Sequence, residues 1–160
     1  MLTIIPKAWY SWDFSVMDGD RPLAYMNLSS WCEKGTLTIE GVEHRVYREG
    51  VMSGDFVLER GGTVLARASK PSAFSDRFVI AHQGREYALK KKSAWKRAFV
   101  LQSRLGEAGS ARETDIGSVV PAGAWTWKAS ADLPDDWQLP LRVFVIWLAT
   151  IMWRREANAA

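Results

Sequence analysis

The stretch Leu141-Arg142-Val143-Phe144-Val145-Ile146-Trp147-Leu148-Ala149-Thr150-Ile151-Met152-Trp153 decides the fold. Its residues show neither the alternation of a half-buried strand nor the one-sided stripe of a surface helix, so protein must surround it on every side. Pro140 suits the first turn of a helix. Asp135 and Asp136 lie just ahead of it, where acids favour the positive end of the helix dipole, and Arg154 and Arg155 suit the other end. The spacing predicts a helix over about 140–155, roughly 24 Å long. The uncharged apolar run from Val143 to Trp153 is eleven residues. A membrane span needs about 20, so the expectation is a buried core helix with no transmembrane insertion.

Outward from that helix the chain changes period. Trp12, Phe14 and Val16 alternate with Ser11, Asp13 and Ser15. The runs Phe56-Val57-Leu58, Phe78-Val79-Ile80, Tyr87-Ala88-Leu89 and Phe99-Val100-Leu101 repeat the pattern. They are rich in β-branched and aromatic residues, as half-buried strands are. Asp18-Gly19-Asp20, Glu49-Gly50, Gly61-Gly62, Gln83-Gly84 and the stretch from Gly106 to Gly109 punctuate them as turns. About twelve candidate strands fit between Ile4 and Ala131, at the spacing of an antiparallel sandwich or barrel. Eight strands close into a barrel that side chains just fill, and the diameter grows with strand number. A helix with its side chains is about 10–12 Å across. The sequence therefore predicts a mainly β fold: an antiparallel barrel of about twelve strands enclosing a hydrophobic C-terminal α-helix. It is read as one domain over 1–160, with strands over about 4–131.

Composition agrees. The 160 residues are 48% hydrophobic and 24% charged, with nine Trp, which excludes a disordered tail, a collagen-like chain and a coiled coil. The single cysteine, Cys32, excludes an intrachain disulfide framework or a zinc site built on several cysteines. It reads as a small apolar core residue. The segment Met1-Leu2-Thr3-Ile4-Ile5-Pro6-Lys7 lacks the apolar core of a secretion signal, so the expected location is cytoplasmic.

The run Phe56-Val57-Leu58, Gly61-Gly62 and Val64 to Lys70, followed by Phe78-Val79-Ile80, Gly84, Tyr87-Ala88-Leu89, Phe99-Val100-Leu101 and Ile116-Gly117-Ser118-Val119, resembles the tubby C-terminal-like superfamily. That superfamily includes the LURP-one-related proteins and the phospholipid scramblases. The tail Leu133-Pro134-Asp135-Asp136-Trp137, with the apolar helix after it, resembles the family's ending. The match covers roughly residues 10–155. It implies a twelve-stranded barrel around a hydrophobic C-terminal helix. The Lys/Arg motif through which tubby proteins bind phosphoinositides is absent. Asp132, Asp135 and Asp136 stand where scramblases carry a metal-binding run, without its alternating acids. No metal site is expected.

Net charge is +3, but residues 60–104 hold eleven Lys or Arg against two acids, Asp76 and Glu86. Such asymmetry suits a polyanionic partner or, more plainly, a solvated face. Parity on the strand near 85–92 turns Tyr87 and Leu89 inward and Lys90 and Lys92 outward. With Phe99 and Leu101 inward on the next strand, Lys96 and Arg104 share the outward parity. If Ser93 and Ala94 form the hairpin loop, Lys90 and Lys92 lie near Lys96. Like charges opposite one another destabilise a sheet, so keeping them suggests an anion site. Lysines that merely blunt a sheet edge are the plainer alternative. The candidate anionic-lipid residues are Arg77, Lys90, Lys92, Lys96, Arg104 and Trp95, the last as an interfacial aromatic. Lys91 and Arg97 have the opposite parity.

Catalytic signatures are absent: there is no G-x-S-x-G, P-loop or G-x-G-x-x-G. His44 and His82 read as packing or solvated residues, and a barrel filled by its helix leaves no polar pocket to join either to a carboxylate. No catalytic residue, cofactor or enzyme activity is expected. Nucleic acid is disfavoured as a partner, for want of a helix-turn-helix, RRM or zinc-finger pattern. The function expected is a non-enzymatic module that binds anionic phospholipid headgroups at a membrane surface. The alternative is a barrel for a protein or small ligand, with no membrane role.

Overall fold

A computed structural model describes residues 1–29, 33–50, 54–72, 75–93, 96–105, 112–124 and 126–159. In chain order the strands are β1 (Leu2–Pro6), β2 (Phe14–Asp18), β3 (Arg21–Leu28), β4 (Lys34–Ile39), β5 (Val42–Arg48), β6 (Phe56–Arg60), β7 (Thr63–Ser69), β8 (Arg77–His82), β9 (Arg85–Ser93), β10 (Lys96–Leu105), β11 (Arg112–Pro121) and β12 (Ala129–Asp132). One helix, α1 (Leu139–Ala159), follows them. The turns after β4, β6 and β8 have positive φ at both central residues. That is the type I′ geometry, whose twist matches the flanking strands. Glu40-Gly41 makes one of these turns, with φ 48° and 80°. It carries one glycine between the apolar Ile39 and Val42 and was not among the turn signals read from the sequence.

Each strand pairs antiparallel with its neighbour in the chain, and β1 closes the barrel on β12 through Leu2↔Ala131 and Ile4↔Ala129. Connections therefore alternate between two ends. The tight turns after β2, β4, β6 and β8 share one end with the link from β12 into α1. The connections after β1, β3, β5, β7, β9 and β11 share the other, here called the loop end. At Gly117 the strands approach so closely that a Cβ would stand 2.6 Å from the Asp132 carbonyl oxygen. Only glycine fits that contact.

α1 enters at the turn end, fills the barrel and leaves at the loop end. Every residue from Val143 to Arg154 is buried. Trp147 is 0% exposed, and its ring lies 5.8 Å from both Phe56 and Phe144. Phe56 meets Phe78 edge-on at 5.3 Å. The helix extends past the expected end near 155. Arg154 and Arg155 therefore lie inside it, and Arg154, only 6% exposed, donates to the Ser29 carbonyl at 2.5 Å. Among the described residues no helix is long and apolar enough to cross a membrane.

Among the described residues, two nitrogens in this core, Trp147 Nε1 and His44 Nε2, have no hydrogen-bond partner. An unmet buried donor or acceptor costs about 1–3 kcal/mol. Two substitutions separate packing from that cost. Trp147→Ala should destabilise by about 3–5 kcal/mol. Trp147→Phe loses part of the ring but also the unmet N–H, and should cost less than half as much. Urea unfolding of both variants checks this, and equal losses would mean that the indole is not packed as described.

Candidate functional site

The outward face of three neighbouring strands assembles a cationic group. Arg77 on β8 lies directly opposite Lys90 on β9, a repulsive placement unless an acid intervenes. Glu113 on β11 does so. Its carboxylate is 3.3 Å from Arg77 Nη1, 3.5 Å from Lys90 Nζ and 3.9 Å from Arg104 Nε. β8 and β11 are three strand spacings apart, about 14 Å in a flat sheet. The β10–β11 pairing shifts register between Leu101 and Gln102, and such bulges bend a strand. Gln102, 7% exposed, donates from Nε2 to Asp115 Oδ1 at 2.6 Å just past that bulge. Glu113 lies beyond the basic segment and was missed in the sequence. The signal for it is its position opposite Arg104 in the β10–β11 pairing.

The remaining expected residues lie elsewhere. The hairpin pairs Lys96 with Ser93, and a register shift between Lys96 and Phe99 then sets Lys90 opposite Val100. Lys90 is therefore not beside Lys96, and Ser93 belongs to β9 rather than to a loop. Lys92 and Lys96 are exposed at the loop end, and among the described residues neither pairs with a carboxylate. Trp95, Ala94 and Cys32 lie outside the described residues. The parity assigned to Lys91 and Arg97 is explained by their partners. Lys91 pairs with Glu156 on α1. Arg97 donates from Nη2 to the carbonyls of Gly123, Ala124 and Thr126 at 2.9–3.0 Å, and its guanidinium lies 5.0 Å from the Trp127 ring centre. The basic segment is thus partly neutralised by acids from outside it, with Glu49 on Arg67 as a further case.

A second charged group surrounds the emerging helix. Glu33 pairs with Arg48 at 3.3 Å and also with Arg155. Burial alone would raise the Glu33 carboxyl, but the hydrogen bond from Arg155 and the charges of Arg155, Arg48 and Arg154 outweigh it and hold the group below its ordinary range. Burial, then the nearby Arg155, pushes the Lys70 ammonium down. Its Nζ lies 3.8 Å from Met152 Sδ and 5.7 Å from the Phe78 ring centre.

The helix fills the interior, as expected, but the turn end carries a cleft of about 400 Å³ on the outside. His82, Arg85 and Asp136 line it with the edge-to-face pair Tyr87–Trp137, whose rings are 4.6 Å apart. A polar recess does therefore hold His82 and a carboxylate in one lining, contrary to the sequence expectation. No Ser, Thr, Cys or Lys lines it among the described residues. His44 points into the core, and its Nδ1 is 3.0 Å from the Val42 carbonyl. Asp135 pairs with Arg142 at 3.3 Å. No family model matches this chain, and no curated protein or solved structure gives a significant match.

Because the Glu33 carboxyl is depressed in the folded state, its contribution is fully present above the ordinary glutamate range and is lost as pH falls through the folded value. Stability measured at about pH 7 and about pH 3 should therefore fall more in the wild type than in Glu33→Gln. Parallel pH curves in urea unfolding would show that Glu33 contributes nothing at the helix exit.

Proposed function

We propose that this chain is a non-enzymatic, tubby-like barrel module that docks reversibly on an anionic membrane surface through phospholipid headgroups. The observation that carries the reading is the convergence of Arg77, Lys90 and Arg104 on the single carboxylate of Glu113. The group keeps a net positive charge, and the exposed Lys92 and Lys96 add to it from the β9–β10 hairpin. A cation near an anionic leaflet is worth about 1 kcal/mol, so a handful of them holds a domain there reversibly. The resemblance to tubby-like proteins supports the same reading, and the location that goes with it is peripheral, on the cytoplasmic face. The cleft at the turn end favours a second reading, a barrel that takes a small ligand or a protein segment between His82, Arg85 and the Tyr87–Trp137 pair.

Co-sedimentation with vesicles tests the first reading. The wild type should bind phosphatidylcholine vesicles containing phosphatidylserine and not phosphatidylcholine alone. Binding should weaken with salt, because exposed charges are screened over about 8–10 Å. Lys90→Glu, Lys92→Glu and Lys96→Glu together should abolish binding with little change in melting temperature, since Lys92 and Lys96 are exposed and meet no carboxylate among the described residues, and the half-exposed Lys90–Glu113 pair is worth little. Glu113→Gln should tighten it about fivefold by unmasking one positive charge. Equal binding to both vesicle types, or to neither, would remove the membrane reading and leave the cleft.

A further inference from the structure

The two ends of the barrel differ in charge and in aromatic content. At the loop end, among the described residues, the exposed lysines are Lys7, Lys34, Lys92, Lys96 and Lys128, and the exposed acid is Asp76. The turn end leans the other way, with the exposed Arg21, Arg60, Arg85 and Arg112 outnumbered by exposed acids. Asp18, Asp20, Glu40, Asp132, Asp135 and Asp136 are all exposed there, and fewer cations accompany them. This polarity runs along the barrel axis. It cannot be seen in the sequence, because each hairpin sends its charges alternately to opposite ends.

The loop end also carries exposed aromatics. Trp9 is 84% exposed and Tyr10 74%. They lie in the connection after β1, edge-to-face with ring centres 5.5 Å apart. The connection is anchored: Lys7 N–H donates to the Asp13 carbonyl at 2.8 Å and Ser11 N–H to the Ala8 carbonyl at 3.0 Å. Trp12, three residues on from Trp9, packs on Trp127 at 4.6 Å. Arg97 covers the Trp127 ring and lies next to Lys96 in β10. A line of contacts thus runs from Trp12, in the same connection as Trp9 and Tyr10, through Trp127 and Arg97 to the lysine-bearing hairpin. Two large aromatics cost free energy when left in water. Trp and Tyr are enriched at bilayer interfaces, where an apolar ring and a polar edge are both satisfied.

We propose that Trp9 and Tyr10 insert at the headgroup–acyl boundary of an anionic bilayer, with the loop end of the barrel facing the membrane and the acidic turn end facing away. The proposal rests on the docking reading above and adds an orientation and an anchor to it. The lysines around the rim contact lipid phosphates and carboxylates. The acids at the far end are repelled by the same surface, so the charge distribution alone selects the orientation before the aromatics engage.

The test uses the full chain with phosphatidylcholine vesicles, with and without phosphatidylserine, and with lipids brominated on their acyl chains. Trp9→Ser combined with Tyr10→Ser should weaken binding to anionic vesicles at least about tenfold. Trp9→Phe should keep binding within about twofold and lose the part of the bromolipid quenching that Trp9 contributes. Wild-type binding left unchanged in the double variant would overturn the anchor while the docking reading stands. So would quenching that is the same in wild type and Trp9→Phe. Should the double variant fail to fold, the Trp9→Phe quenching decides alone. Absence of wild-type binding to any of these vesicles would overturn the docking reading and the anchor with it.

Discussion

Everything in this molecule depends on the contact between an apolar helix and the inner wall of a sheet. α1 has no face it could show to water. The twelve strands, curled on themselves, would enclose a void without it, and the interior of a folded protein does not tolerate one. Each large side chain fully buried here is worth about 1.5–3 kcal/mol. Trp147, Trp153, Phe14, Phe56, Phe78, Phe99 and Phe144 are the largest of them. The polar groups that enter with the helix are mostly met. Thr150 Oγ1 donates back to the Trp147 carbonyl at 2.7 Å, and Trp153 Nε1 donates to the Arg97 carbonyl at 2.7 Å. The last bond joins the end of the core to the strand that carries the rim.

The barrel was legible because two independent patterns demanded it: strands with one apolar face, and a helix with no polar one. Strand parity was legible too. Tyr87, Leu89, Phe99 and Leu101 are inward, and Lys91 shares their parity. What parity could not supply was register. The bulges between Leu101 and Gln102 and between Lys96 and Phe99 are single-residue slips with no signature in composition. Together with the Ser93↔Lys96 pairing of the hairpin, they set Lys90 opposite Val100 and away from Lys96. The candidate site was therefore legible as residue types and illegible as a place. Arg77, Lys90 and Arg104 come together, while Lys92 and Lys96 sit on the rim.

The charge count along the chain left out the neutralising acids for a related reason. A window along the chain assumes that a residue's electrostatic neighbours are its sequence neighbours. In an antiparallel barrel the acids that matter arrive from other strands and from the helix, as Glu49, Glu113 and Glu156 do. The polarity that survives this neutralisation is axial, and it follows from strand alternation. Residues at a strand's start and at its end face opposite ends of the barrel, so an uneven placement of lysines in the connections becomes a macroscopic dipole.

The position of α1 after all twelve strands has a consequence for synthesis. As the chain emerges from a ribosome, every half-apolar strand is made before the element that will cover its inner face. β1 must also wait for β12, 125 residues or more further along at their paired positions. Neighbouring hairpins form early on their tight turns, but the sheet they build has nothing to close around until the last stretch of chain arrives. Such an intermediate presents apolar surface and open strand edges, the two features that drive aggregation. The lysines on the β9–β10 hairpin and the type I′ turns, which fix register locally, then serve the unfinished protein as much as the finished one. Late termination of the message is, for this architecture, the loss of the core and not of a tail.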